Sequence, residues 1–270
     1  MPATAVLPRT PPNRLVDFAN VLRFEVCKLF TVRSTFWTLL IAAVSNIALA
    51  ALAAVFLAGR LSTGDKATID AVRLSLAGLH LSQIAVGVLG VLVITGEYSS
   101  GLIRTTFSAV PQRRLVLHAK AIVFTLTALF AGTVSSVGAY YTFQALLPDG
   151  DSLRSTINDP GVLRAVTGAG LYLAALGLLG FGLGAIIRSG AGAIATLFGL
   201  LFVPPILIDV LPRSWQTTIG PYLPMNAGSD IFITQHQPGS LQPWTGFGLF
   251  LLYAALTVTA GMIAVKHRDA

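Results

Sequence analysis

Six apolar runs, each long enough to form a helix of roughly 20 residues, divide the chain and decide what solvent it can fold in. They fall at about 36–58, 78–96, 119–143, 165–187, 191–211 and 245–265. A hydrocarbon core roughly 30 Å thick needs about 20 helical residues to cross it, and a helix satisfies its own backbone hydrogen bonds where water cannot. The expected fold is an all-α integral membrane protein with six transmembrane helices. Charge agrees with this, since 11% of residues are charged against roughly 25% in an ordinary soluble domain. That is too little to coat a water-soluble globule.

The segments around the runs differ in kind. Residues 1–13 are proline-rich and aperiodic, and are expected to be a disordered leader. Across 14–33, Leu15, Phe18, Leu22, Val26 and Leu29 recur at helical spacing, with Arg14, Asp17, Asn20, Lys28 and Thr31 marking another side. A helix with a basic polar face suits the plane of the headgroups, so 14–33 is expected to be an amphipathic interfacial helix rather than an extension of the first span. The six-helix domain then occupies 34–268. No short apolar core with a small-residue cleavage site precedes Phe36, so the first span is expected to serve as an uncleaved insertion signal.

Orientation follows from the bases. With the N-terminus inside, the inner segments hold twelve Lys and Arg and four acids, and the outer segments six and seven. Both termini and the 97–120 interval are then cytoplasmic, in a multi-pass protein of the cell membrane. The same asymmetry accounts for a pI near 10.0 without any need for nucleic acid.

The 97–120 interval is the one long stretch in the first half that mixes a carboxylate, several bases, a glycine and a proline: Glu97, Gly101, Arg104, Pro111, Arg113, Arg114 and Lys120. Apolar helices in lipid cannot easily meet a soluble partner. A short charged loop between two of them is where such a partner would grip. Glu97, at the end of the second span, has three candidate partners there: Arg104, Lys120, and the N-terminus of a short helix after Gly101.

This spacing resembles the first cytoplasmic loop of ABC-2 type transporter permeases: Glu, Gly four residues on, Arg, then Pro, one or two Arg, and a Lys opening the next helix. Leu102 stands where many members have Thr. Tyr222-Leu223-Pro224-Met225-Asn226-Ala227-Gly228, in the long 212–244 connection, is similar to a stretch found at the same place in many bacterial members. Relatives carry re-entrant helices there, and a surface loop with proline turns is the other reading. The resemblance covers most of 14–268. It implies a second permease subunit, identical or related, and cytoplasmic ABC ATPase subunits beneath. ATP and Mg would sit on the ATPase, and a short helix over 101–108 would dock into it through Arg104, Arg113 and Arg114. Six helices would form half of an export pathway for lipophilic or amphipathic molecules.

Within the chain itself, no Gly-Lys dipeptide exists to make a P-loop, so no nucleotide site is expected. Neither metal nor other cofactor is expected in it. No His-Glu-x-x-His occurs, and His80, His118, His236 and His267 are scattered; only Ser75, Ser82 and His80 are placed for serine chemistry. The chain is therefore not expected to be an enzyme. Gly177, Gly180, Gly182 and Gly184 could pass for a dinucleotide loop, but they sit inside a span, where small residues let helices approach closely. Cys27, the single cysteine, excludes an internal disulfide and reads as a small apolar residue. Asn46, His80 and Gln83 are candidate pathway-lining residues, with hydrogen bonding between helices as the plainer alternative. Against the permease stands a non-transporting membrane scaffold or sensor that uses the same loop to anchor a cytoplasmic partner.

Overall fold

The computed structural model describes residues 14–57, 60, 69–102, 113–235 and 239–267. Among these residues regular structure is helical throughout. In chain order the helices are α1 (Arg14–Thr31), α2 (Arg33–Leu52, continued by a π-turn over Ala53–Leu57), α3 (Ala71–Ser75), α4 (Leu79–Ser99) and α5 (Arg113–Leu146). There follow α6 (Val162–Ile187), α7 (Gly190–Val210), the short α8 (Arg213–Ile219) and α9 (Pro224–Ser229), and α10 (Pro243–His267). Six of them, α2, α4, α5, α6, α7 and α10, are long and apolar enough to cross a membrane. The protein is all-α and has the make-up of a multi-pass membrane protein. Its leader, at 1–13, lies outside the described residues.

The bundle is built around α6. Of its most apolar window 78% is buried, against 22% in α7 and in α10, so α6 is the hub and those two present most of their surface outward. It packs on α4, α5, α7 and α10, while α2 lies against α4 and α5. What permits this is the run of small residues read from the sequence. A Cβ on Gly180 would lie 2.7 Å from the Gly87 carbonyl oxygen of α4, and one on Gly182 would lie 2.5 Å from Thr257 Oγ1 of α10. The tightest crossing sets Gly90 of α4 on Gly177 of α6: a Cβ at Gly90 would meet the Gly177 oxygen at 2.1 Å. Lipid supplies no hydrophobic drive between helices, so close backbone approach and packing have to hold them.

Two features depart from the sequence pattern. Helix α5 begins at Arg113, well before the apolar run at 119, and its 34 residues extend about 50 Å at ~1.5 Å per residue. It therefore outreaches any ~30 Å apolar layer. Helix α1 ends at Thr31, and the face it turns inward keeps Phe18, Leu22 and Leu29 of the expected apolar side but not Val26, and adds Glu25 and Lys28. Val21, Glu25 and Leu29 are buried, with Phe18, Leu22 and Lys28 beside them, whereas Val26 is exposed with Phe24 and Phe30. A charged pair thus points into the protein and an apolar strip points out of it.

At the opposite end from the 97–120 interval, the 212–244 connection folds back onto the bundle. Ala227, Gly228 and Ile231 are buried; Tyr172 of α6 sits between Phe232 and Phe250, with ring centroids 5.2 and 5.4 Å away. Two side chains from outside the segment bond several groups of its irregular backbone. Asp70, the N-cap of α3, accepts from Val72 and Arg73 N–H through Oδ1 and from Thr234 and Gln235 N–H through Oδ2. Arg164 of α6 donates to the carbonyls of Asp230, Ile231 and Ile233. Non-helical backbone packed on a bundle of apolar helices is tolerated when the protein itself supplies such partners.

The Gly90–Gly177 crossing makes a test with an internal control. Gly90→Ala forces backbone apart and should destabilise by about 1–3 kcal/mol or more. Gly199→Ala on α7, where a Cβ would meet nothing within 4 Å, should be neutral or stabilising by a few tenths to about 1 kcal/mol. Unfolding in detergent micelles measures both, and equal effects would refute the crossing.

Candidate functional site

Both glutamates of the chain and two of its four lysines meet at one point. Glu97 lies in the last turn of α4 and Lys120 is the eighth residue of α5. Glu25 and Lys28, three apart on α1, share a face. Lys120 Nζ donates to Glu25 Oε2 at 2.6 Å and to Glu97 Oε1 at 2.5 Å. Lys28 Nζ donates to the same Glu97 oxygen. The side chains of Glu25, Glu97 and Lys120 are 3–5% exposed, and Lys28 forms the wall toward solvent at 25%.

Local sequence explains how each group arrives. Helix α4 stops because Gly101 takes a left-handed φ of +73° with open space around it, a conformation glycine adopts without a Cβ penalty. Ser100 Oγ adds a bond to the Gly96 carbonyl. Glu97 is thereby held at the rim with Ile94 and Thr95, also buried, beneath it. Helix α1 is seated by Val21 and Leu22 on an apolar patch that includes Ile94, Val116 and Leu117, and this turns Glu25 and Lys28 toward the two flanking helices.

The cluster carries two negative and two positive groups, so it is neutral as a unit. Taking such ions out of water is expensive, and is repaid only by close pairing. Among the described residues, Glu25 Oε1 and Glu97 Oε2 are buried without a hydrogen bond, so the pairing is not saturated. The arrangement ties together three things: the end of α4, the beginning of α5 and the amphipathic α1. Both ends of the charged interval are pinned to one another and to α1. A force applied to that interval must act on all three helices.

Of the other residues singled out in this interval, Gly101 makes the stop described above. Arg113 and Arg114 lie in the opening turn of α5, with side chains outside the described residues, as are Arg104 and Pro111 altogether. Of the three partners open to Glu97, Lys120 is realised. Lys28 and Glu25 were not foreseen. The available signal was a carboxylate set among Leu22, Val26 and Leu29, with a lysine one turn on.

The candidate pathway residues have different surroundings. Asn46 is buried and donates from Nδ2 to Ser135 Oγ at 3.4 Å; Gln83 is buried and accepts from Tyr172 through Oε1 at 2.7 Å. His80, three residues before Gln83 on α4, is exposed. The first two join helices, and His80 joins neither.

Two recesses open at the end opposite the ion cluster. One of about 430 Å³ is lined by Asp70, Arg154, Ser155, Asp159, Thr234 and Gln235 among others, and one of about 380 Å³ by Arg164, Asp230, Gln242 and Trp244 among others. Asn46, His80 and Gln83 line neither. Asp159 accepts from Thr156 N and Oγ1, and these bonds hold its carboxyl below the usual carboxylate range. Their contribution is present at neutral pH and lost as pH falls through the folded-state value.

No protein-family model matches the chain, and no curated protein matches it in sequence.

Lys120 has the most to lose. Lys120→Met leaves two buried carboxylates, Glu97 with Lys28 alone and Glu25 with neither lysine, and should cost about 3–5 kcal/mol, as removing one partner of a buried pair does. Lys28→Met, at the more exposed wall, should cost less. Adding Glu25→Gln to Lys120→Met should recover part of the loss, because the second carboxylate no longer needs a counter-ion. Unfolding of the purified protein measures the series, and a Lys120→Met protein as stable as wild type would refute the burial of this cluster.

Proposed function

We propose that this protein is the membrane-spanning subunit of an ATP-driven transporter of the ABC-2 permease type, working with a separate cytoplasmic ATPase and a second permease subunit. The observation that carries the reading is the ion cluster. It anchors both ends of a basic, partner-sized loop to the ends of two apolar helices, which is what a loop needs if it is to pass force into the membrane. Six apolar helices and the spacing of Glu97, Gly101, Arg104, Pro111, Arg113 and Lys120 support it.

In this mechanism both termini and the 97–120 interval face the cytoplasm of the cell membrane. Helix α1 lies in the headgroup plane, its exposed Phe24, Val26 and Phe30 against lipid and its Glu25 and Lys28 against the bundle. The fold-back over 212–244 is re-entrant from the outer side. ATP binding would draw two ATPases together, and each would carry a docked loop with it. Such coupling requires that the ATPase states bind the loop differently. Arg104, Arg113 and Arg114 provide the charge for that contact, and the cluster passes the displacement to α1, α4 and α5. The cargo is a lipophilic or amphipathic molecule moved outward.

Two measurements test this. With Cys27→Ser and Arg104→Cys combined, an impermeant maleimide should label inverted vesicles and leave intact cells unlabelled; labelling from outside ends the proposal. Arg104→Glu or Arg113→Glu should insert normally but lower stimulation of the partner ATPase by ~10-fold or more, equivalent to losing ~1.4 kcal/mol of coupling. Normal stimulation would remove the docking role. A chain that binds an ATPase yet moves nothing in ATP-loaded vesicles would be the scaffold instead.

A further inference from the structure

Arg188 sits in the turn between α6 and α7 with φ +60°, the one non-glycine residue with positive φ among the described residues. This is the C-cap of α6, where its N–H closes on the Gly184 carbonyl at 2.9 Å. Glycine is the residue that fits such a cap without strain. A strained backbone persists when surrounding structure holds it, and it invites a search for what the side chain does.

The Arg188 side chain reaches two other helices. Its guanidinium carbon lies 5.0 Å from the centroid of the Tyr98 ring, at the end of α4, within the range of a cation–π contact. Its Nη2 donates to the Ala264 carbonyl of α10 at 3.5 Å. The turn itself is pressed onto α4: a Cβ on Gly184 would come 2.6 Å from Ile94 Cγ2, and one on Gly190 3.4 Å from Thr95 Oγ1. On its other side, Gly261 of α10 sits against Ala185, with 2.7 Å from a Cβ there to that of Ala185.

Tyr98 follows Glu97 directly. Successive residues on a helix point ~100° apart, so the last turn of α4 addresses the ion cluster with one residue and Arg188 with the next. Any rotation or shift that loosens Glu97 from Lys28 and Lys120 also carries the Tyr98 ring. We propose that Arg188 is a positioning residue that conveys displacement of the Glu97 cluster to the end of α10, in addition to the apolar packing that Val265 of α10 shares with Val116 and Leu117 of α5. The αL strain is retained because glycine there could cap α6 but could not reach Tyr98 and Ala264.

The proposal needs neither an ATPase nor a cargo, so it stands or falls apart from the permease reading. The test is amide hydrogen exchange, read by mass spectrometry, on the full chain in lipid nanodiscs. Glu97→Gln should speed exchange by ~10-fold in 95–102 and also in 262–267. With Arg188→Gly added, the response to Glu97→Gln at 95–102 should persist while that at 262–267 falls below ~2-fold. Arg188→Gly suits the αL backbone, so it should fold. Tyr98→Leu should give the same loss from the other side of the contact, whereas Tyr98→Phe, which keeps the ring, should not. An undiminished response at 262–267 in the Arg188→Gly and Tyr98→Leu proteins would overturn the proposal. So would a Glu97→Gln protein in which 262–267 does not respond.

Discussion

A lysine buried between two carboxylates is the contact on which this end of the molecule depends. The cost of burying Lys120 is offset by its bonds to Glu97 and Glu25, and that of burying each carboxylate by its bond to a lysine. The three groups thus support one another, and each comes from a different helix. Apolar packing alone would let α1 slide or roll along the bundle, because a hydrophobic surface is indifferent to small displacements. The charged cluster fixes one register. It converts a set of greasy helices into a joint with a defined closed state.

The two ends of the bundle solve the same problem with different chemistry. Where the 97–120 interval leaves the bundle, ions meet ions, and the link is between side chains. At the opposite end, Asp70 and Arg164 each bind backbone groups of the folded-back segment, two N–H groups for one and three carbonyls for the other, while Asp70 also caps α3 through two more N–H groups. The second kind of clasp gives irregular backbone hydrogen-bond partners and holds it as structure. The first leaves two carboxylate oxygens without bonds among the described residues, so it holds less completely.

The six long helices were legible because hydropathy over about 20 residues does not depend on what packs against what. The glycine run of the fourth span was legible as packing for a similar reason: small residues inside a span have few other uses. Helix ends were less legible. Arg113 and Arg114 read as loop on charge, although they open a helix that simply outreaches the apolar layer. The buried face of α1 was legible only in part: Phe18, Leu22 and Leu29 turn inward as their spacing suggests, whereas Val26 does not and Glu25 and Lys28 do. Lys28 reads as solvent-facing by default, and only partners 69 and 95 residues distant from their α1 counterparts turn that face inward. Hydrophobic spacing locates a helix, while complementary charge elsewhere in the chain decides its rotation. Gln83 and His80 make the same point on α4, where three residues separate a buried hydrogen-bonded side chain from an exposed one.

Rigidity and mobility are divided between the two sorts of contact. Around α6, backbone meets backbone at distances that leave no room for a methyl group, and cores packed in that way shift as units rather than deform. Helix α1 has no such crossing and is held by the cluster and by Val21 and Leu22. Displacement entering through the charged interval therefore finds one compliant element, α1, and one stiff one, the α4–α6 pair. The stiff pair moves as a body, and α10 is carried with it by the close Gly182–Thr257 and Gly261–Ala185 contacts. Arg188, which bridges the turn after α6 to Tyr98 and to Ala264, adds a side-chain link to the same frame, and this makes its strained backbone intelligible.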